Sequence, residues 1–178
     1  LTTHRSGIKV LPSPAYLNGH IRPTPEIMSR LLALMRRMFD YVIIDGGQST
    51  NDTSLKVLEL SDKLLLITIL SLPCLANTNK LLRSLSDLGY VDRDRIKVVL
   101  NRYMKKGDIS LKDAEEGIGT KLLHTIPNDY GATMTAINNG QPLVSIAPKT
   151  PIVRSFTDLA ASLSAQPETK AKKKWKLF

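Results

Sequence analysis

Three runs of apolar residues, none of them alternating with polar ones, constrain this chain more than any other feature. They are Tyr41-Val42-Ile43-Ile44, the run KLLLITIL over residues 63–70, and residues 96–100, IKVVL. A strand with one wet face alternates between apolar and polar positions. A strand covered on both faces reads instead as a continuous aliphatic run. Segments with helical spacing fill the intervals between these runs. The expected fold is therefore α/β, a mostly parallel sheet with helices on both faces.

The first run ends abruptly at Asp45, followed by Gly46 and Gly47. A carboxylate at the carboxyl end of a buried strand lies where open α/β sheets bind ligands. The alternative is a turn in which Asp45 caps the next helix. Upstream, residues 8–11 read as a short strand closed by a turn at Pro12-Ser13-Pro14. Thr24-Pro25 starts a helix, with Thr24 as N-cap and proline at the first position. Ile27, Leu31, Leu34, Met35 and Met38 recur on one side of it and Arg30, Arg36 and Arg37 on the other, so both methionines are expected in the core. Asn51 and Asp52 cap a helix through Leu60.

Leu75, Leu81, Leu82, Leu85 and Leu88 describe a long amphipathic helix closed by Gly89. The strand over residues 96–100 ends at Asn101-Arg102. Ser110, with Asp113 three residues later, reads as a capping box for a short helix ending near Gly117 or Gly119. A strand over residues 122–126 ends at Pro127-Asn128-Asp129, and a helix through Ile137 stops at Asn139-Gly140. Thr150-Pro151 repeats the cap-then-proline start for a last helix reaching about Ala165. The expected domain covers residues 1–166. From Pro167 the chain turns polar and then lysine-rich, a basic flexible tail over residues 167–178.

At 178 residues the chain has the length of one well-buried domain. Its formal charge of +9 points to an anionic partner such as a nucleotide, nucleic acid or membrane surface. The single cysteine, Cys74, excludes an intrachain disulfide and a Cys-rich metal site, and fits a cytoplasmic setting. No apolar run approaches the roughly 20 residues of a membrane span. Leu1 is not a methionine, and the first residues read as the middle of something longer, so a fragment is expected.

Polar residues stand at three strand ends: Asp45, Asn101, and Asn128 with Asp129. In a parallel sheet these ends share one edge, so the residues can converge on one ligand. A carboxylate there suits magnesium, held directly or through water, because that ion takes oxygen ligands and keeps several waters. An asparagine amide offers a donor and an acceptor, which suits a purine edge. Each residue alone would more often be a turn former or a cap; their common position is what points to a site. His4, His20 and His124 share no metal-ligand spacing, and His124 within a strand reads as structural. Glu115-Glu116 reads as a solvated helix face. No nucleophile elbow is present, and Cys74 has no local catalytic signature. Nothing in the sequence matches a Gly-rich loop ending in Gly-Lys-Ser/Thr, the element that cradles phosphates.

FDYVIIDGGQS, SDKLLLITILSLPCLANTNKLLRSL, IKVVLNRY and IPNDYGATMTAINNGQPLVSIAPKTP, in this order, resemble the second half of a ParA/MinD-type ATPase. SGIKVLPSP, followed by TPEIMSRLLALMRRMFDYVIID, is most similar to the CpaE/TadZ branch, whose members localise pilus-assembly machinery. The resemblance covers about residues 6–163. It implies that Asp45 is the acidic residue near the magnesium ion and the γ-phosphate, the one catalytic candidate, meeting the metal through water. It implies that Asn101, with Arg102 beside it, contacts adenine, and that Pro127, Asn128 and Asp129 form the loop around the base. ATP and Mg2+ are the implied cofactors and a homodimer closed around ATP the implied assembly, with pilus or secretion proteins as partners. The P-loop would lie before Leu1, so this chain by itself is not expected to hydrolyse ATP. A sheet without that strand would expose two edges and depend on the missing half.

The family usually places proline or alanine before glycine after its acidic residue, whereas Asp45 is followed by Gly46-Gly47-Gln48. That departure supports a second reading, a non-hydrolysing scaffold of the same fold that binds protein partners. A third is a DNA- or chromosome-partitioning ATPase acting through a basic surface, whose binding would fall steeply with salt. In the tail, Lys170, Lys172, Lys173, Lys174 and Lys176 surround Trp175, Leu177 and Phe178. Cations and apolar side chains together suit an anionic lipid surface. The segment resembles the longer C-terminal membrane-targeting segment of MinD, and the expected localisation is the cytoplasm, or peripheral at the inner membrane or cell pole. The competing readings are a solubilising tail and nucleic-acid contact. A receiver domain is excluded: it needs acids after the first strand and a lysine after a later one, where SGIKVLPSP has no acids and IKVVLNRY has Asn101.

Overall fold

A computed structural model describes residues 1–12, 23–48, 51–89 and 91–164. The chain divides into two compact units, residues 1–60 and 61–178. The second carries the sheet on which the candidate site is built.

In the first unit, β1 (Thr2–Thr3) and β2 (Lys9–Val10) form a two-stranded antiparallel ladder, with Thr2 opposite Val10. Helix α1 (Pro25–Met38) begins as its sequence dictates: the Thr24 hydroxyl accepts from the Ile27 N–H. The Asn51 side chain does the same for Ser54 at the start of α2 (Asp52–Leu60), and α1 packs against α2. Two expectations fail here. Of α1 only Leu32 is buried, Met35 is half-buried and Met38 is exposed, so the methionines are not both core. Residues 41–46 form no ladder with any described strand, and Ile43 is 95% exposed. The reason is the same in both cases: among its described residues this unit offers these apolar side chains the helix α2 and no parallel strand for residues 41–44 to join. The turn expected at residues 12–14 lies partly outside the described residues.

The second unit contains β3 (Leu64–Thr68), α3 (Leu72–Asp87), a 3-10 turn at Arg93–Arg95, β4 (Ile96–Tyr103), α4 (Leu111–Ile118), β5 (Leu122–Pro127), α5 (Tyr130–Asn138), α6 (Leu143–Ile146) and α7 (Pro151–Ser164). The strands are parallel in the order β3-β4-β5, with Leu66 opposite Val98 and Val99 opposite His124. Side chains alternate across the sheet. Val99 and Ile126 share one face with Ile152, Val153 and Leu159 of α7, and Leu65 and Leu123 close that core. Val98 and Leu100 point to the opposite face, where α3 packs against β3 and α4; Leu75, Leu82 and Leu85 of α3 and Ala114 and Ile118 of α4 are buried. Helices thus cover both faces, as the unbroken apolar strands require. The exception is β3, expected to be fully buried: Ile67 is 57% exposed, because among the described strands β3 is paired on one edge only.

Caps fix the helix ends. Ser71 accepts from the Cys74 N–H at the start of α3, and Gly89 takes φ +68 beyond its end. Ser110 and Asp113 form a reciprocal capping box on α4, and Gly119 closes it in the left-handed conformation. The Thr150 hydroxyl, expected to cap α7, instead donates to the Ala147 carbonyl. His124 plays the structural part expected of it: its Nε2 lies 2.9 Å from Ser155 Oγ, which in turn donates to the Thr125 carbonyl, tying α7 to β5. Lys63 Nζ donates to the Leu163 carbonyl and joins the end of α7 to the start of β3. The lysine-rich tail lies outside the described residues.

Leu100 is fully buried, so Leu100→Ala should lower stability by about 2–5 kcal/mol in urea unfolding. The Asp113 carboxyl is held below its ordinary value of 3.8, first by the Ser110 hydroxyl and then by the Ser110 N–H, both donating to it. A depressed carboxyl stabilises fully above its ordinary value, and that contribution is lost as the pH falls through the lowered one. The Tm difference between the parent and Asp113→Ala should therefore be present at pH 7 and shrink in thermal scans taken toward about pH 2.

Candidate functional site

Because β3, β4 and β5 are parallel, their carboxyl ends lie along one edge, and a cleft of about 480 Å³ opens there. Ile69 and Leu70 follow β3 and form one wall. Arg102, Met104 and loop residues 107–109, from the end of β4 onward, form another, and Asn128 and Tyr130 come from the turn after β5. Its size lies within the range of small-ligand sites, and so does its make-up, apolar walls with a few polar groups.

The last turns of β4 and β5 are locked together. Tyr103 stands opposite Pro127, and the Asn128 N–H donates to the Tyr103 carbonyl at 2.9 Å. Asn101 is half-buried, and its Oδ1 accepts from the Arg102 N–H at 2.9 Å. Arg102 is exposed and has φ +55, the one non-glycine residue with positive φ among the described residues. Asp129 caps α5 by accepting from the Ala132 N–H at 3.0 Å. Of the residues expected at the site, the structure brings Arg102 and Asn128 to the cleft walls, while Pro127 and Asp129 shape the turn behind them.

Asp45 belongs to the other compact unit, on the irregular segment rather than at a strand end. Its carboxylate is exposed and accepts from the Gly47 N–H at 3.2 Å, the turn geometry weighed as the alternative reading of this stretch. Among the described residues no group of three or more His, Cys, Asp or Glu side chains gathers to hold a metal. A single carboxylate suits only a magnesium ion that keeps most of its waters.

Tyr130, Met104, Ile69 and Leu70 were not singled out from sequence. Ile69 and Leu70 could have been found from their position just past a strand end. Tyr130 and Met104 carry no local signal. Together they supply the aromatic and apolar surface that a planar ring needs, with an amide and a guanidinium beside it. Arg102 and Asp108 place one cation and one carboxylate on the same rim.

No family model matches the chain. In sequence it is 25% identical over 165 residues to an uncharacterized ATP-binding protein of Methanocaldococcus jannaschii, a match covering 92% of this chain and 61% of that protein. In structure it matches a ParA family ATPase from Chlorobium tepidum with a TM-score of 0.79 and 30% identity, over 85% of this chain and 62% of that one. It also matches the septum site-determining protein MinD complexed with Mg-ADP from Pyrococcus horikoshii, with a TM-score of 0.64 and 25% identity, over 83% of this chain and 58% of that one. The chain has the α/β fold of ParA/MinD ATPases, and it spans about three fifths of the length of these relatives. No helix among the described residues is long and apolar enough to cross a membrane.

Removing the cap in Asp129→Ala should cost about 1 kcal/mol in urea unfolding, and Asp129→Asn should retain most of the lost stability.

Proposed function

We propose that this chain is the base-recognising part of an ATP-dependent, dimerising switch of ParA/MinD type that positions a pilus or secretion assembly. The observation carrying the nucleotide part is the cleft where Arg102, Asn128 and Tyr130 meet at the carboxyl ends of β4 and β5. Asn101, Arg102, Pro127, Asn128 and Asp129 serve the base, directly or by shaping its turn. Asp45 serves Mg2+ through water. Similarity to an ATP-binding protein and to a MinD complexed with Mg-ADP supports ATP and Mg2+ as the ligands. The pilus role rests on the likeness of residues 6–14 and 24–45 to the CpaE/TadZ branch. Closure of two copies around ATP, and contact of the tail lysines from Lys170 onward with anionic lipid, complete the reading.

The test uses the full-length gene product that contains this chain. Arg102→Ala and Asn128→Ala should each weaken ATP binding about tenfold in calorimetry, about 1.4 kcal/mol. Unchanged affinity in both would sink the base assignment.

A scaffold without hydrolysis is the second reading. It is favoured by the exposed Asp45, whose carboxylate is engaged with Gly47 in a glycine turn. Measurable ATP hydrolysis by the full-length protein rules it out.

A further inference from the structure

Among the described walls of the cleft Tyr130 is the one aromatic side chain, and it is left 73% exposed. Its backbone is closely held. Asp129 Oδ1 accepts from the Ala132 N–H at 3.0 Å, and the Asp129 carbonyl accepts from the Thr133 hydroxyl at 2.7 Å, which closes the first turn of α5. Two residues before Tyr130, the Asn128 N–H is bonded to the Tyr103 carbonyl, which ties that turn to the end of β4. The ring thus stands on a fixed support at the cleft with most of its surface in water. An aromatic surface in that position gains when something apolar or flat covers it.

The remaining apolar walls are aliphatic or thioether: Ile69 and Leu70 are half-buried, and Met104 is 59% exposed. Such surfaces make dispersion and sulfur contacts with a flat ring. Arg102, Asp108 and Asn128 can hydrogen-bond the edge of that ring, but its plane needs a partner of another kind. We infer that Tyr130 is the platform on which the base stacks, a ligand contact made through the face of the phenol ring and not through its hydroxyl. This deepens, and rests on, the reading of the cleft as a nucleotide-base site. Every base has a π-face, so the platform adds affinity without choosing among purines. The choice falls to the polar groups along the edge.

Tyr130→Phe keeps the ring and removes the hydroxyl, Tyr130→Leu keeps apolar bulk without a π-face, and Tyr130→Ala removes both. Tyr130 is largely in water, so none of these changes opens a cavity in the core. In the full-length gene product that contains this chain, calorimetry follows the binding of adenosine and of ATP, and NMR follows the two ring protons of adenine. Adenosine affinity should stay within about twofold in Tyr130→Phe and fall about tenfold in Tyr130→Ala, with Tyr130→Leu between them, and ATP affinity should change by the same factors. The adenine protons should move upfield in complexes of the parent and of Tyr130→Phe, through the ring current of the platform, and should not do so with Tyr130→Leu. If Tyr130→Phe loses as much affinity as Tyr130→Ala, the contact is made by the hydroxyl, and the platform is overturned with the base reading intact. Equal affinity in all four proteins, or a parent complex without the upfield shift, overturns it in the same way. A parent that binds neither adenosine nor ATP ends the base reading, and the platform with it.

Discussion

β4 is hydrogen-bonded on both edges, to β3 and to β5, and its centre is closed on both faces. Val98, Val99 and Leu100 are all at 0% exposure, so neither parity of the strand has access to water along its middle. Its closed middle, residues 98–100, holds no charged side chain, and the polar groups of the strand stand on either side of that stretch, Lys97 before it and Asn101 and Arg102 after it. The same burial makes that end rigid: the register of β4 against its neighbours is fixed by side chains that would lose their packing in any slip.

Much of this sheet was legible in the sequence. KLLLITIL and IKVVL have no alternation, and the strands they form are parallel with helices on both faces. The caps at Thr24, Asn51 and Ser110 were equally plain, because a capping side chain acts within three or four residues and needs no tertiary partner. The organising run at residues 41–44 has as strong a strand pattern as either, yet forms no ladder in the chain described. Pattern states what a segment would bury, not whether a partner is present to bury it against. The exposed apolar side of α1 teaches the same lesson. Strand-end polarity singled out Asn101, Asn128 and Asp129, of which the structure sets Asn128 on a cleft wall, and it did not say what each side chain binds. Asp129 spends its carboxylate on a helix cap and Asn101 spends its carbonyl on a backbone amide. The irregularity at Asn101 and Arg102, where β4 advances three residues from Leu100 to Tyr103 while β5 advances two from Thr125 to Pro127, is a mismatch between two strands that no single strand's sequence contains.

Of the cleft's polar groups, Arg102 stands near the end of β4, Asn128 in the turn after β5, Tyr130 on the first turn of the Asp129-capped α5, and Asp108 on the loop after β4. The Asn128-to-Tyr103 bond couples two of its walls. Walls held in this way need little ordering when a ligand enters.

The left-handed backbone at Arg102 sets two demands on one position. Folding alone favours glycine there, which meets the φ of +55 without strain, whereas a glycine leaves the cleft without its cation. A variant library selected only for soluble, stable protein should drift toward glycine at this position. One selected for ligand capture should hold on to arginine. The residue that survives at 102 under each regime thus reports which pressure is acting, independently of any assay of turnover.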